Sequence, residues 1–203
     1  MVPADLFFVF AGVLEGPSNN VARRALKAAD AGGVATSPRL IKSGVGRYQP
    51  GDLEALKRFS VRARMVNEKR SFGRWFETFA ESGMTDNLWV YRSGDEIGGA
   101  MRVKGPYHSL RGEKIVALEL GELESVQKGA GLALTKEGIM ESKRLGLGGR
   151  IIYVSAPNVK TLAYHTYLQR IAGGDSWTNF AGTFFYYDEI AAENLLRKPI
   201  SLR

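Results

Sequence analysis

No cysteine occurs anywhere in the chain. That absence removes disulfides, thiol nucleophiles and cysteine metal sites together, and it suits a reducing compartment, so a cytoplasmic protein is expected. Only two histidines are present, His108 and His165. Without carboxylate help they cannot complete a standard zinc site, so no metal is expected. The apolar stretch at residues 6–14, LFFVFAGVL, is too short to span a bilayer. No Lys or Arg precedes it, as a secretory signal would require. Membrane attachment is therefore not expected.

What remains is an ordinary soluble composition, 44% hydrophobic and 24% charged over 203 residues. This length suits one α/β domain with an appendage. Residues 1–38 read as an N-terminal extension, an apolar stretch followed by a short Ala-rich helix that ends at Gly32-Gly33. It would pack on the domain of residues 39–203 or on a second copy, so a homodimer is one expectation. The net charge of +7 is uneven. Residues 57–74 hold Lys57, Arg58, Arg62, Arg64, Lys69, Arg70 and Arg74 against one acid, Glu68. Such a run is most often a solvated helix face, but with Phe59, Phe72, Trp75, Phe76 and Phe79 interleaved it also suits a nucleic acid or another polyanion.

The stretch that organises the chain is 113–146. Residues 114–124 alternate as a strand, with Glu119, Glu122 and Glu124 along it. On regular alternation, Glu122 and Glu124 share a face that Glu119 does not. The turn Val126-Gln127-Lys128-Gly129-Ala130-Gly131 follows. Its glycines permit positive φ and close backbone approach. A helix starting inside that turn aims its unpaired N–H groups and positive dipole end at one space, which suits phosphate. On that helix Leu134, Thr135, Gly138, Ile139, Ser142 and Leu145 share one face, and the small residues permit tight docking on a sheet. Gly146 is its expected C-cap.

Elsewhere the pattern predicts a strand over 40–48, a helix from about Leu53 capped by Asp52, and a second helix over 72–81. A hairpin is expected from 87–92 and 97–103 through Ser93-Gly94-Asp95-Glu96, with a loop over 105–112. A buried strand over 150–154, a helix over 158–172 and a final strand pair over 177–188 complete the reading.

Three segments resemble the GNAT superfamily of N-acetyltransferases. Val126 to Gly131 resembles that family's pyrophosphate turn, Arg/Gln-x-x-Gly-x-Gly/Ala, with Val126 in the usual Arg/Gln place. GRYQPGDLEALKRF, residues 46–59, resembles its opening, and NVKTLAYHTYLQRIAGG, residues 158–174, its Asn-x-x-Ala-x-x-x-Tyr helix. The resemblance covers residues 40–190. It implies a mixed, mostly antiparallel α/β sheet with splayed central strands, flanked by helices and joined to the N-terminal extension.

It further implies acyl transfer from acetyl-CoA or another acyl-CoA to an amine. Backbone at Leu120, Gly121, Glu122 and Leu123 would lie along pantetheine. Val126, Gln127, Lys128, Gly129, Ala130, Gly131, Leu132 and Ala133 would surround the pyrophosphate, with Asn158 at the next helix start. The acid would be Tyr167 by its spacing from Ala163, or His165 by strict count from Asn158. For the base, Glu119, flanked by apolar residues, would gain a raised pKa if buried. Two alternatives stay open: a transferase acting on a nucleic acid or aminoacyl-tRNA, and a non-catalytic module that binds acyl-CoA or a partner.

Overall fold

The computed structural model describes residues 44–66, 78, 80, 82, 83, 85–108, 116–154, 159–178 and 184–200. The chain divides at Arg39/Leu40 into two units, and all described residues lie in the second. The N-terminal extension, most of the helix expected over 72–81, and Asn158 lie outside the described residues.

Seven strands form one sheet, β1 (Gly44–Arg47), β2 (Leu88–Ser93), β3 (Glu96–His108), β4 (Val116–Ser125), β5 (Ile151–Val154), β6 (Ser176–Thr178) and β7 (Phe184–Tyr187). Their spatial order is β1-β2-β3-β4-β5-β7-β6. Every neighbouring pair is antiparallel except β4 and β5. That parallel pair needs a crossover, which helix α2 (Ala130–Arg144) supplies. Helix α1 (Leu53–Val66) follows a 3₁₀ turn over Pro50–Asp52, and α3 (Val159–Ala172) joins β5 to β6. The chain closes with α4 (Glu189–Arg197).

Strand alternation sorts the core into two layers. Leu88, Val90, Ile97 and Ala100 meet Leu56, Phe59 and Ala63 of α1 on one face. Trp89, Tyr91, Met101, Val103, Leu118, Leu120, Ile151, Tyr153, Phe185 and Tyr187 cluster on the other with residues of α2, α3 and α4. The close approach of α2 depends on Gly138. A Cβ there would lie 2.6 Å from Leu120 Cδ1, so any larger residue must displace the buried Leu120 side chain or the helix itself.

Two elements differ from the sequence expectation. Strand β3 does not stop at Val103 but runs to His108, through the stretch expected to be a loop. Gly105, at φ +119, belongs to an irregular strand and not to a turn. The final strand pair is followed by α4, which the sequence reading lacked. Asp188 caps it, accepting a hydrogen bond from the Ala191 amide at 2.7 Å.

Candidate active site

The site is built on β4, and β4 is irregular. Ala100 pairs with Glu124 and Arg102 with Gly121, so Glu122 and Leu123 together face Met101 alone. This is a bulge on β4, and Glu122 sits in it at φ 46, the only positive value among the described non-glycine residues. A second irregularity lies on β3. Val103 pairs with Leu120 and Gly105 with Glu119, leaving Lys104 as the extra residue.

The β4 bulge overturns the simple alternation of the three glutamates. Glu119 and Glu122 share a face, since Lys104 Nζ reaches Glu119 Oε1 at 3.1 Å and Glu122 Oε1 at 3.5 Å. The extra residue resets the period, so Glu124 falls opposite Ala100, which lines the α1 face. Arg102 also approaches Glu122, at 4.0 Å. A polar strip thus runs down the α1 side of β3 and β4.

Within that strip Glu124 stands out. It is 5% exposed, and its Oε2 is buried with no hydrogen-bond partner among the described residues. Burial pushes its carboxyl up to about 7, against a smaller lowering by Lys160. Glu119 by contrast is held by Lys104 and is half-buried. The environment the sequence reading sought for Glu119 belongs to Glu124. Sequence showed three glutamates; only the bulge and the packing separate them.

The parallel ladder joins β4 to β5 from Leu118/Ile151 to Gly121/Val154. Residues 155–158, which follow β5, lie outside the described residues. Strand β4 continues for four more residues to Ser125, and the turn before α2 follows it. Val126 and Gln127 amides both donate to the Gly98 carbonyl, at 2.9 and 3.1 Å. Gly129 then takes φ 83, the left-handed region, as the N-cap of α2 with no side-chain cap. No acidic residue stands in the first turn of α2. The helix start therefore keeps its positive end for an anion.

The turn is buttressed from below by a hydroxyl hub. Thr135 Oγ1 donates to the Gly131 carbonyl at 3.0 Å. A hydroxyl has one proton and two lone pairs, so Tyr153 and Tyr164 must donate to it, at 2.6 and 2.8 Å. Burial raises the pKa of both tyrosines, keeping them protonated. The hydroxyl and Cε2 of Tyr164 lie 3.4 Å from where a Gly131 Cβ would be. Sequence reading passed over Tyr164 because the helix motif drew attention to its neighbours.

Those neighbours go to different places. His165 is 3% exposed and stacks on Phe185 at 3.8 Å between ring centroids. Its Nδ1 lies 2.9 Å from the Tyr187 hydroxyl. Burial lowers its pKa to about 3, so it is neutral at physiological pH and cannot deliver a proton there. His165 is a core residue. Tyr167 is 43% exposed on α3, with Arg170 6.0 Å from its ring centroid.

The basic run meets its own partners. Lys57 pairs with Glu54 at 2.7 Å, Arg58 with Glu96 at 2.9 Å and Arg62 with Glu96 at 2.7 Å. Arg62 Nη2 also donates to the Ile97 carbonyl at 2.8 Å. Two of these arginines tie α1 to the β2–β3 hairpin. The side chain of Arg64, and Lys69, Arg70 and Arg74, lie outside the described residues. No helix among the described residues is long and apolar enough to cross a membrane.

No protein-family model matches the chain, and no curated protein matches it in sequence. Solved structures do match in fold. A mutant AtaT toxin bound to the C-terminus of the antitoxin AtaR superposes with a TM-score of 0.55 at 13% identity, over 78% of this chain and 99% of the toxin. The same complex with acetyl-CoA gives 0.54. A GNAT-family protein from Desulfovibrio desulfuricans gives 0.51 at 12% identity, over 73% of this chain and 99% of its own. A GCN5-related N-acetyltransferase from Kribbella flavida aligns at TM-score 0.41 and 16% identity, over 66% of this chain, which spans about a third (34%) of its length. The chain has the GNAT fold: a mixed, mostly antiparallel sheet with one parallel pair, β4 and β5, flanked by helices.

Proposed function

We propose that the protein is an acyl-CoA-dependent N-acyltransferase, with acetyl-CoA as the first candidate donor. The observation that carries this is the turn at the head of α2, where Gly129 stands at φ 83 with no side-chain cap and no acidic residue in the first turn, on the helix that links β4 to its parallel neighbour β5. That helix N-terminus is open to a pyrophosphate, with the end of β4 beside it for an amide-bearing arm. Acetyl-CoA bound to the structurally similar AtaT toxin supports the same donor. When bound, the donor supplies the activated acyl group.

The chain's residues handle geometry and protons. The β4 backbone beside the bulge orients the arm, and the α2 start holds the phosphates. Glu124 accepts the proton of the incoming ammonium, for which its pKa of about 7 is suited. Tyr167, half-exposed on α3, is the candidate acid for the leaving thiolate. Tyr164 is not, because its proton is committed to Thr135. Internal pairing of Lys57, Arg58 and Arg62 leaves the polyanion reading without support from the described part of α1.

Titration with acetyl-CoA tests the reading. At ligand about 100 times its Kd, thermal unfolding should show roughly 2.7 kcal/mol of added stability. No heat and no shift with any acyl-CoA would overturn the reading. Binding without turnover on any amine would favour a non-catalytic module. With an acceptor in hand, Tyr167→Phe should cut turnover by roughly 10²–10³ with little change in donor affinity. Tyr164→Phe should instead cost about 0.5–1.5 kcal/mol of stability through its lost bond to Thr135. Equal turnover losses from the two would contradict the assignment.

A further inference from the structure

We propose that Gln127 is the positioning residue of the donor-phosphate turn: its side chain, laid across Gly98, holds the amides of Lys128, Gly129, Gly131 and Leu132 in the attitude that receives the pyrophosphate. The inference rests on the acyl-CoA reading above and assigns a further residue to its phosphate end.

Backbone hydrogen bonds are the first argument. The Val126 and Gln127 amides both donate to the Gly98 carbonyl, and the Ala130 amide donates to the Gln127 carbonyl at 3.2 Å. The Ala133 amide donates to the Gly129 carbonyl at 2.9 Å and opens the helix ladder. The amides of Lys128, Gly129, Gly131 and Leu132 have no backbone acceptor among the described residues. Orphan N–H groups of this kind are what a helix start presents to an anion. Sequence reading sets Val126 and Gln127 around the pyrophosphate, but their own amides are committed to Gly98. They hold the turn, and the amides that follow face the ligand.

Side-chain contact is the second. Gln127 lies flat on Gly98: a Cβ at 98 would stand 2.3 Å from its Oε1, 2.8 Å from its Cβ and 3.1 Å from its Cδ. Gly98 is not among the glycines of positive φ, so close approach and not backbone freedom calls for glycine there. Gln127 Nε2 is 3.4 Å from Ser93 Oγ, on the other arm of the same hairpin. A bond of that length is weak, so packing carries the contact.

The surface beneath Gln127 is itself tied down. Arg62 donates to the Ile97 carbonyl at 2.8 Å and Arg58 to the Asp95 carbonyl at 3.2 Å, and both pair with Glu96. Val126 packs against the α1 core. Beyond Gln127 the turn holds two glycines, and Gly129 begins the helix with no side-chain cap. Such a stretch loses conformational freedom when it binds. An anchor immediately before it lowers that cost and so raises ligand affinity.

Calorimetric titration of the full chain with acetyl-CoA, read beside thermal unfolding, tests the assignment. Gln127→Ala should weaken binding roughly tenfold. Gln127→Met keeps the length and the packing and should stay within about twofold of wild type. Gly98→Ala should displace the Gln127 side chain and weaken binding by a similar factor. In that background Gln127→Ala should cost much less than in wild type, because the contact is already lost. Ser142→Ala is the control for general destabilisation. It loses a bond to the Arg150 carbonyl at the far end of α2, so its melting temperature should fall with affinity unchanged. Undiminished affinity in Gln127→Ala, additive losses in the cycle, or an equal loss in Ser142→Ala would overturn this inference and leave the transferase reading standing. Wild-type protein that binds no acyl-CoA would overturn both. Gln127 is half-buried and outside the core clusters, so the Ala and Met variants decide the matter even if Gly98→Ala fails to fold.

Discussion

Glu124→Gln should lower turnover by roughly 10²–10⁴ on any amine acceptor while leaving acetyl-CoA affinity unchanged. Gln keeps the shape of the side chain and loses only its capacity to take a proton. The wild-type kcat/KM profile should rise through a limb near pH 7, where burial places this carboxyl, and the variant should lack that limb. Stability should move the opposite way. The folded-state pKa of Glu124 is raised from 4.5 to about 7, so across that window the folded protein binds more protons than the unfolded chain. Its contribution to stability is therefore present at low pH and is lost as pH rises through about 7. Above pH 7 the wild type carries a buried carboxylate that the variant does not. Glu124→Gln should be more stable there by on the order of 1–3 kcal/mol, with the gain shrinking toward about pH 5. Denaturant titrations at the two pH values, beside the rate profile, check both halves. A variant that turns over normally and keeps the limb would return the base to Glu119 or to water.

Gly129→Val should weaken acetyl-CoA binding by roughly 100-fold or more, which corresponds to about 2.7 kcal/mol. The reason is backbone conformation. Gly129 stands at φ 83 at the N-cap of α2, where a β-branched residue is strained by about 1–3 kcal/mol. Relief of that strain would turn the amides at the helix start away from the proposed phosphate site. Gly131→Val should act by contact. Its Cβ would already be 3.3 Å from Ser125 Oγ and 3.4 Å from Tyr164, and valine adds two carbons beyond it. Circular dichroism should show both variants folded with lowered melting temperatures, since the core of α2 lies further along, at Leu134, Gly138 and Ile139. Gly131→Ala should fall between valine and wild type. Undiminished affinity in either valine variant would mean that the turn is not the phosphate site.

Periodic features were legible in the chain. The apolar spacing of 134–145 placed α2, and the structure buries Leu134, Thr135, Gly138, Ile139 and Ser142; Leu145, expected on the same face, is exposed because the helix has ended and it stands at the C-cap. The Leu53 helix start appears, but Asp52 does not cap it: a 3₁₀ turn over Pro50–Asp52 precedes the helix with Gln49 as its N-cap, and Asp52 Oδ2 reaches back to accept the Gln49 amide at 2.7 Å. The hairpin through Ser93–Glu96 appears as well, with Gly94 at φ 65. Misreadings came where glycine was taken for a turn signal and where a short helix lacked a strong pattern. Gly105 marks an irregular strand, and α4 has nine residues whose stability comes from docking Ala191, Ala192 and Leu195.

Local chemistry along the chain was enough to determine the strand–turn–helix unit and the absence of cysteine chemistry, while the mixed, mostly antiparallel sheet was implied by the resemblance of three segments to one family. The first two depend on residue type and on spacing of a few positions, so they survive without knowledge of distant contacts. Tertiary structure decided the roles. One extra residue at Glu122 moved Glu124 onto the α1 face and Glu122 beside Glu119, and a residue count in a strand cannot reveal a bulge. Burial, a sum over distant neighbours, separated Glu124 from Glu119 and made His165 a neutral core residue. A partner distant in sequence engages the described part of the basic run: Glu96 lies 38 residues from Arg58 and pairs with both Arg58 and Arg62. Sequence counted the charges, and three-dimensional contact determined which of them were already spent.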